Sequence, residues 1–478
     1  MSNNLANKLW GFCNTLRHDG VDYGDYIEQL TYLLFFKMAE EKEIDLPSIE
    51  TYKDADDIEI VNKEVSWVEL KKQSGVELTH LYGEMLRHLR KQDGIIGDMY
   101  FQAMPRLNNP TNLKKLIALI DEEDWSSIDM DVKGEAFESL LERSASEGKK
   151  GAGQYFTPRP LIKSMIRLSQ PDPLKEKDFK VYDPSCGTGG FLVSAYEWLF
   201  AQKKGAFKRE DISRIKKETY YGQELVPRPR RLALMNMFLH NIEPKIYLGD
   251  TIYEEAKPER FDVVLANPPF GTKGANNAPA RQDFTIETTN KQLNFLQHIL
   301  TVLKPGGRAA VVLPDNCLFE DKAADVFKIL MKDCNLHTIL RLPNGTFIPY
   351  ANAKANVIFF QKGLPTENVW IYDNRTNIPS LTKKDRPLGE EHFTDFEKAF
   401  GKDVFGNSKR KVSERFKPFH ISEIKERNYK LDITLLKEEN GEDENGFTEP
   451  KEIISKATNE LEDVIKNLNK IFKLIGDE

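Results

Sequence analysis

The chain has 478 residues, of which 40% are hydrophobic and 30% charged, so it is long enough for roughly two or three globular domains. Its formal net charge of -7 argues against an autonomous DNA-binding protein, because neutralising phosphates supplies much of the affinity of such proteins. No apolar run approaches the roughly 20 residues of a membrane helix, the N-terminus lacks a signal peptide, and the four cysteines form no CxxC pair. These features predict a cytoplasmic protein without a membrane segment, a disulfide framework or a zinc site.

The first 150 residues predict a mainly helical N-terminal domain. In GDYIEQLTYLLFFKMAEE, residues 24–41, apolar residues recur at helical spacing and acidic residues occupy the opposite side. GEAFESLLERSASEGKK, residues 134–150, predicts another amphipathic helix, which ends in a loop rich in Gly and Lys. We interpret residues 1–150 as a helical bundle with no chemistry of its own.

Short runs rich in β-branched residues alternate with helical segments from residue 151 to residue 363. The candidate strands are FKVYDP, ETYYGQE, KIYLGD, FDVVLANPP, GRAAVVLP, HTILRLP and NVIFFQK. Several are continuously apolar, which is typical of strands covered on both faces. The alternation predicts an α/β fold with a doubly wound, Rossmann-like sheet, whose ligand lies beyond the carboxyl ends of the strands. A segment rich in Lys and Arg, residues 203–231, leaves room for a local basic face.

The rest of the chain is more polar. Residues 364–448 are charged and interrupted, and they predict a mixed extension that either completes the α/β domain or contacts partners. Residues 449–478 predict a C-terminal helix with an apolar stripe at coiled-coil spacing. The stripe includes Ile454, Leu461, Leu468 and Ile475. This spacing is equally compatible with docking of the helix on its own domain and with pairing to another subunit.

A glycine-containing loop, VYDPSCGTGGFL, follows the first predicted strand of the sheet. The strand ends at Asp183, a turn contains Gly187, Gly189 and Gly190, and an apolar run then opens a helix. Glycines let a backbone pass close to a ligand where a Cβ would collide, and the Asp183 carboxylate can accept hydrogen bonds from the ligand. The strict GxGxxG order of dinucleotide-binding loops is absent. The loop predicts a ligand site, with a purely structural turn as the alternative.

Two further acidic residues stand at predicted strand ends. Glu224 closes YYGQE, where an acid that binds a ribose could lie, and Asp250 closes IYLGD, where an acid could accept from an adenine amino group. Each taken alone is more often a capping or turn residue. Their order behind the glycine loop favours the ligand site.

The most specific motif is FDVVLANPPFG, in which two prolines directly follow an apolar strand. The prolines force the chain out of the sheet in a rigid turn, which predicts that the carboxamide of Asn267 and the carbonyl of Pro268 face the ligand cleft. Two acceptors can hold an exocyclic amino group and draw its lone pair out of conjugation, so that it can attack an electrophilic methyl group. Phe270 supplies a flat face for a base that is flipped out of a duplex.

These motifs, preceded by GAGQYFTPRPLIKSMIRL and followed by RLPNGTFIPYANAKANVIFFQKG, strongly resemble those of the modification subunits of type I restriction–modification systems. That family comprises adenine-N6 DNA methyltransferases that use S-adenosylmethionine, and the motif order here is that of their γ class. The resemblance spans essentially the whole chain, including the helical N-terminal domain and the C-terminal helical tail. It implies a methyltransferase sheet and an enzyme that modifies adenine in a specific DNA sequence, which protects host DNA from cleavage.

The resemblance also implies roles for individual residues. Those on the methionine side of S-adenosylmethionine would be Gln154, Tyr155, Phe156, Thr157, Pro158 and Arg159. Around the rest of the donor, Thr188, Gly189 and Gly190 would contact the amino acid moiety, Glu224 the ribose and Asp250 the adenine. Asp183 and Gly187 lie in the same glycine loop as the first three. Those with a catalytic role would be Asn267, Pro268, Pro269 and Phe270. Asn344 and Lys354, in the later segment, are expected to be structural or to touch DNA.

Partners follow from the resemblance as well. They are double-stranded DNA, a specificity subunit that reads the site, and a restriction subunit in the full complex, with two copies of this chain for each specificity subunit. No GxxxxGK[ST] phosphate loop occurs, so ATP-driven translocation and cleavage are expected in another subunit. We expect no metal, because the methyl donor is already activated as a sulfonium.

Three other functions compete with this interpretation. A methyltransferase that acts on a protein glutamine amide or on RNA could use the same two-acceptor turn, but the glutamine enzymes typically carry Tyr where Phe270 stands. A structural subunit that binds the donor without catalysis is disfavoured by the intact turn from Asn267 onward. A nicotinamide dehydrogenase would leave that turn unexplained.

Overall fold

The computed structural model describes most of the chain between residues 7 and 436. The ranges are 7–11, 22–41, 43–49, 52–53, 59–60, 63–125, 157–203, 207–270, 277–320, 322–348, 353–376 and 386–436, with isolated positions within 128–143 and 378–382. The helix predicted over 449–478 and most of the one predicted over 134–150 lie outside the described residues. The elements below all belong to the first of two compact units, Met1–Leu435.

The N-terminal part is mainly helical, as its sequence predicts. Its helices are α1 Tyr23–Glu41, α2 Trp67–Lys72, α3 Gly75–Leu89, α4 Gly94–Tyr100 and α5 Pro110–Asp121, and its two short antiparallel strands are β1 Tyr52–Lys53 and β2 Glu59–Ile60. The helix predicted over residues 24–41 is confirmed by α1. Helix starts follow local chemistry: Asn109 accepts from two backbone N–H groups of α5, and Pro110 occupies its first turn, where no N–H is needed.

The α/β part contains the remaining elements. Its strands are β3 Val181–Asp183, β4 Tyr220–Glu224, β5 Lys245–Leu248, β6 Phe261–Ala266, β7 Leu303–Pro314, β8 Cys334–Arg341, β9 Ala355–Lys362, β10 Asn368–Asp373 and β11 Phe416–His420. Its helices are α6 Arg159–Ser169, α7 Gly190–Lys203, α8 Arg209–Glu218, α9 Pro227–Leu239, α10 Lys291–Val302, α11 Ala323–Asp333, α12 Glu391–Phe400 and α13 Ile421–Glu426, with a 3-10 turn at Asp315–Leu318.

The nine described strands of this part form one sheet in the order β11-β10-β8-β9-β7-β6-β3-β4-β5. The strands β5, β4, β3, β6 and β7 run parallel, and β9 lies antiparallel between β7 and β8. After β3 the chain adds β4 and β5 on one side of β3, and β6 then pairs with β3 on its other side. The carboxyl ends of β3 and β6 therefore flank the topological switch point, where open α/β sheets bind their ligands.

Both faces of the sheet are covered, which explains the continuously apolar strands. Val181 and Val263 point into a core shared with α6, α7 and α9, whereas Tyr182 and Val264 point into a core shared with α10 and α11. Successive residues of a strand face opposite sides, so every position of such a strand is buried. The doubly wound α/β fold is confirmed, and each of the seven strand candidates corresponds to one of β3–β9.

Two strands that the sequence analysis did not identify extend this sheet. Both come from the charged stretch after residue 363: β10 pairs in parallel with β8, and β11 pairs with β10 in antiparallel fashion. The strand β11 lies at the edge of the sheet and contains a lysine and a proline, which are typical of edge strands and obscure the apolar pattern.

The arginines of α9 connect the helical part to the α/β part. Arg230 and Arg231 are buried, although they lie in residues 203–231, the Lys- and Arg-rich segment whose composition is compatible with a basic surface. The ion pairs are Arg228–Asp25 at 2.6 Å, Arg230–Asp98 at 2.8 Å and Arg231–Glu28. Arg230 and Arg231 are thus buried in ion pairs, and the partly exposed Arg228 also pairs with an acidic residue of the helical part. Across the described ranges, no helix is long and apolar enough to cross a membrane.

Candidate active site

The glycine loop joins β3 to α7 at the switch point of the sheet. Gly187 and Gly189 have φ values of +53° and +82°, which residues with a Cβ rarely adopt. A Cβ at Gly190 would lie 3.2 Å from Cδ1 of Ile162, so helix α6 packs closely against the loop. Within the described part of the chain, a Cβ at Gly187 would meet no atom within 4 Å, so the described residues leave this side of the loop open. The loop is therefore packed against α6 at Gly190, whereas no described residue covers it at Gly187.

Two buried carboxylates converge on this loop. Asp183 is 2% exposed, and its Oδ1 accepts from the backbone N–H of Ser185 at 3.0 Å. Glu224 accepts from the N–H of Gly187 at 3.0 Å and from that of Val226 at 2.9 Å, so it ties the end of β4 to the loop. Burial raises the pKa of Asp183 to about 8 and also raises the pKa of Glu224. The hydroxyl of Ser185, which the sequence analysis did not single out, is buried without a hydrogen-bond partner among the described residues.

Asp250 stands at the turn after β5. Its Oδ1 accepts from the N–H groups of Ile252 at 2.9 Å and Tyr253 at 3.1 Å, which shapes the turn. The Thr251 hydroxyl donates to the carbonyl of Pro184 in the glycine loop at 2.6 Å. The structure therefore brings the three predicted acidic residues to the same edge of the sheet, and Asp250 also has the turn-forming contacts of the structural alternative.

The turn after β6 holds Asn267 in a defined orientation. Its Nδ2 donates to Oγ1 of Thr157 at 2.8 Å, while its Oδ1 is buried and has no hydrogen-bond partner in the described part of the chain. The carbonyl of Pro269 accepts from Nε2 of Gln292 at 2.5 Å. Phe270 is half-buried and meets Phe347 edge to face, with ring centroids 5.3 Å apart. The turn thus offers one unused acceptor beside an aromatic platform.

The segment predicted to line the methionine side of the donor is described only in part. Gln154, Tyr155 and Phe156 lie outside the described residues. Thr157 contacts Asn267, as given above, and Pro158 precedes the first turn of α6. Arg159 donates through Nη1 to the hydroxyl of Ser194 in α7 at 2.7 Å. This segment connects the turn after β6 to the helix that follows the glycine loop.

Several contacting residues were not found from the sequence. Gln292 is buried in the first turn of α10, and Phe347 is buried in the loop after β8, inside the segment that was noted for its family resemblance. The aromatic residue in that loop was the one available signal, whereas nothing local marks Gln292.

Asn344 Oδ1 is buried without a described partner, and the carbonyl of Lys354 accepts from the N–H of Asp315 at 3.0 Å.

The described residues contain no group of three or more His, Cys, Asp and Glu side chains that could hold a metal ion. Cys186, Cys317 and Cys334 are free and buried. Burial raises the pKa of the Cys317 thiol to about 12, so it stays protonated at neutral pH.

Comparisons with known proteins cover both parts of the chain. Residues 128–445 match the N-6 DNA Methylase family, and residues 5–120 match the HsdM N-terminal domain. The methylase subunit of the type I restriction enzyme StySPI from Salmonella potsdam is 36% identical, over 99% of this chain and 96% of its own. The EcoKI methylase subunit from Escherichia coli K12 is 35% identical with the same coverage. A structure from work on assembly and conformational transition of the type I R-M system has a TM-score of 0.74 at 30% identity, over 100% of this chain and 99% of that chain.

Proposed function

Because the chain belongs to the N-6 DNA methylase family, among the methylase subunits of type I restriction enzymes, we propose that it transfers a methyl group from S-adenosylmethionine to the N6 amino group of adenine in a specific DNA sequence. The observation that carries the proposal is the buried Oδ1 of Asn267 at the switch point, which has no hydrogen-bond partner among the described residues. An acceptor that is buried without a partner costs free energy in the folded protein unless a ligand supplies a donor.

The target amino group has two N–H bonds, and the turn after β6 offers two acceptors for them. One is Oδ1 of Asn267, and the other is the carbonyl oxygen of Pro268. Thr157 supports this assignment, because it accepts from Nδ2 of the same carboxamide and so leaves Oδ1 toward the cleft. Two accepted hydrogen bonds favour a tetrahedral amino nitrogen, whose lone pair can leave conjugation with the purine ring. These groups stabilise the transition state more than the planar ground state.

The groups around the glycine loop fit the donor. Gly187 is open on its ligand side, and Asp183 and Glu224 are desolvated carboxylates suited to the amino and hydroxyl groups of S-adenosylmethionine. We assign Glu224 to the ribose, Asp250 to the adenine, Thr188 to Gly190 to the amino acid moiety, and residues 154–159 to the methionine side. When bound, the donor would supply a methyl group on a sulfonium, with the neutral thioether as the leaving group; the amino nitrogen that takes the methyl group would lose one of its protons to solvent.

An adenine stacked inside a duplex cannot reach Asn267, because the turn lies at the end of a buried strand and Pro268 is itself buried. We therefore propose base flipping, which costs a few kcal/mol of unstacking and unpairing. Phe270 would offset part of that cost by stacking on the flipped base. Phe347 supports this role, because the two rings meet edge to face and this contact limits the orientation of Phe270.

Sequence reading is assigned to a partner. The net charge of -7 and the ion pairing of Arg228, Arg230 and Arg231 with acidic residues of the helical part leave this chain poorly suited to binding DNA alone. We propose that a specificity subunit binds the site, that two copies of this chain act with it, and that a restriction subunit completes the assembly. The domain assignment is a helical domain over 1–150, the catalytic domain over 151–363, an extension over 364–448 and a partner-contacting helix over 449–478. We place the complex in the cytoplasm, where the buried cysteines remain thiols.

The direct test of the proposal is Asn267→Ala. Removing the acceptor should lower the single-turnover rate of adenine methylation by about 10²–10³-fold, the range typical for loss of one preorganised group at a reacting centre. The dissociation constant for S-adenosylmethionine should change little, because Asn267 is not among the groups assigned to the donor. Methylation at a wild-type rate by a well-folded Asn267→Ala variant would rule out this mechanism.

Partner dependence needs a separate measurement. The purified chain alone should methylate DNA poorly, and addition of the specificity protein should restore site-specific methylation. Deletion of residues 449–478 should leave S-adenosylmethionine binding intact while reducing assembly and methylation together. Robust site-specific methylation by the isolated chain would contradict partner dependence, and methylation of RNA or of a protein glutamine in preference to DNA would overturn the substrate assignment.

A further inference from the structure

A buried glutamine of α10 donates a hydrogen bond to the turn after β6. Gln292 is 1% exposed in the first turn of α10, and its Nε2 donates to the carbonyl of Pro269 at 2.5 Å. We propose that Gln292 is a positioning residue for methyl transfer, which fixes the turn so that Asn267 Oδ1 and the Pro268 carbonyl stay directed at the target amino group. This inference rests on the proposed function of Asn267.

The turn needs an external anchor because of its sequence. Pro268 and Pro269 have no backbone N–H, so neither residue can secure the turn by donating a backbone hydrogen bond. The described anchors flank Pro268 on either side. Before it, Asn267 donates to Thr157, and after it, Pro269 accepts from Gln292. The carbonyl of Pro268 lies between these two bonds, so its direction depends on both.

The oxygen of the Gln292 carboxamide has a contact of its own. Its Oε1 lies 3.9 Å from Sγ of Cys317, whose thiol is a weak donor, and the same sulfur lies 3.9 Å from Oδ1 of Asn290. Asn290 caps α10 by accepting from the N–H of Leu293 at 3.1 Å. The carbonyl of Pro269 can only accept a hydrogen bond, so the nitrogen of the Gln292 amide faces the turn and its oxygen faces the Cys317 thiol.

Gln292→Leu tests this role, because it keeps the side-chain volume and removes the donor. The single-turnover rate should fall roughly 10- to 100-fold, since a misplacement of about 1 Å at a reacting centre can cost about 10²-fold. The dissociation constant for S-adenosylmethionine should stay within about twofold, because Gln292 bonds to none of the groups assigned to the donor. A rate lost without lost donor affinity is what positioning predicts.

Gln297→Leu is the matched control. Gln297 lies in the same helix, is 5% exposed and also bonds to backbone, but at Ile286: it donates to the Ile286 carbonyl at 2.9 Å and accepts from its N–H at 2.8 Å. Its loss should lower the unfolding temperature at least as much as Gln292→Leu does, while the methylation rate stays within about twofold of wild type.

Gln292→Glu supplies a readout that a purely structural role would not affect. Burial at this position should raise the pKa of the new carboxyl group. The protonated form can donate its O–H to the Pro269 carbonyl, whereas the ionised form places a negative charge against that oxygen. The rate of this variant relative to wild type should therefore rise as the pH is lowered from about 8.5 to about 6.

The experiment uses the full chain assembled with its specificity subunit and S-adenosylmethionine, with Asn267→Ala as the reference. A wild-type rate for folded Gln292→Leu, or equal rate losses for the two leucine variants, would overturn the inference. Should Gln292→Leu fail to fold, the pH profile of Gln292→Glu decides, and a rate relative to wild type that does not change with pH would overturn it. Wild-type methylation by Asn267→Ala would instead refute the proposed function.

Discussion

At the carboxyl ends of β3 and β4 the polar side chains of the site are carboxylates, whereas at the end of β6 they are neutral amides. We call the first group, Asp183 and Glu224, the donor side, and the second, Asn267 and Gln292, the target side. Donor-side carboxylates are held by backbone N–H groups, and target-side amides are held by a hydroxyl and a proline carbonyl. Asp183 matches the positive charge of the donor's ammonium group, Glu224 can accept from the ribose hydroxyls to which it is assigned, and Asn267 matches the neutral amino group of adenine.

The difference has a physical cause. S-adenosylmethionine carries a positive sulfonium and an ammonium group, so buried carboxylates gain favourable partners when it binds. The adenine amino group is neutral. Desolvating a carboxylate beside it would cost more free energy than the hydrogen bond to a neutral partner would supply. Neutral acceptors can be buried at lower cost, and they do not titrate. The two sides should therefore respond differently to mutation and to pH.

The largest effect on the donor side should come from removing its carboxylates. Asp183→Ala and Glu224→Ala should each weaken binding of S-adenosylmethionine by about 1.5–3 kcal/mol, the value of one or two hydrogen bonds to a charged group. Titration calorimetry measures this directly. Asp178→Ala is the control, because Asp178 is an exposed carboxylate paired with Lys304 at 2.9 Å before β3 begins, at the opposite end of the strand. Unchanged affinity in both folded donor-side variants would remove the assignment.

A smaller effect should come from Phe270, the aromatic platform next to the target side. Phe270→Ala should weaken capture of a flipped base by about 1–3 kcal/mol of lost stacking, while leaving binding of S-adenosylmethionine unchanged. Phe270→Tyr keeps the ring face and should retain much of the activity. Binding of DNA containing the target site by the assembled complex, followed with the rate of methylation, would check both variants. Equal DNA affinity and rate for Phe270→Ala and wild type would contradict the stacking role.

The smallest effect concerns pH and separates the two sides. Burial raises the pKa of Asp183 to about 8 from its ordinary value of 3.8, so the donor-free folded protein holds a proton that the unfolded chain has lost. Its contribution to stability is therefore greatest at low pH and declines as the pH rises through this window. The unfolding temperature of the donor-free protein should fall between pH 6 and about 8.5, and it should fall less for Asp183→Asn.

Donor binding should show the opposite trend. The ionised Asp183 accepts hydrogen bonds from a cationic ligand better than the neutral acid does, so affinity for S-adenosylmethionine should increase as the pH rises toward about 8.5. The transfer rate at saturating donor should vary less, because Asn267 does not titrate. Identical pH profiles of affinity for wild type and Asp183→Asn would show that this carboxyl group does not govern binding.

Much of the fold could be predicted from the sequence because it is encoded in local pattern. The strands β3–β9 are apolar or β-branched runs, most of them separated by helices, and such runs are typical of a sheet covered on both faces. The strands β10 and β11 were not predicted, because a charged stretch offers no comparable periodicity and its partner strand β8 lies far away in sequence. The domain boundaries at 150, 363 and 448 remain predictions.

Basic residues gave the least reliable signal. The arginines of α9 lie in a segment rich in Lys and Arg, yet they form ion pairs with acidic residues of α1, α4 and the turn before α1. Composition counts charges but does not locate their partners, which are here more than a hundred residues earlier in the chain. A basic surface could only be assessed once the helices were packed together.

The sequence by itself determined the turn chemistry of this protein. Two consecutive prolines cannot continue a sheet, and glycines at positive φ permit the loop after β3, whatever surrounds them. Tertiary structure decided which groups complete those turns: Thr157 binds Asn267 across 110 residues, Gln292 binds the carbonyl of Pro269, and Phe347 packs against Phe270. The reason is that a residue's backbone preferences are local, whereas its hydrogen-bond and ring partners depend on the order of strands in the sheet and on the helices packed against it.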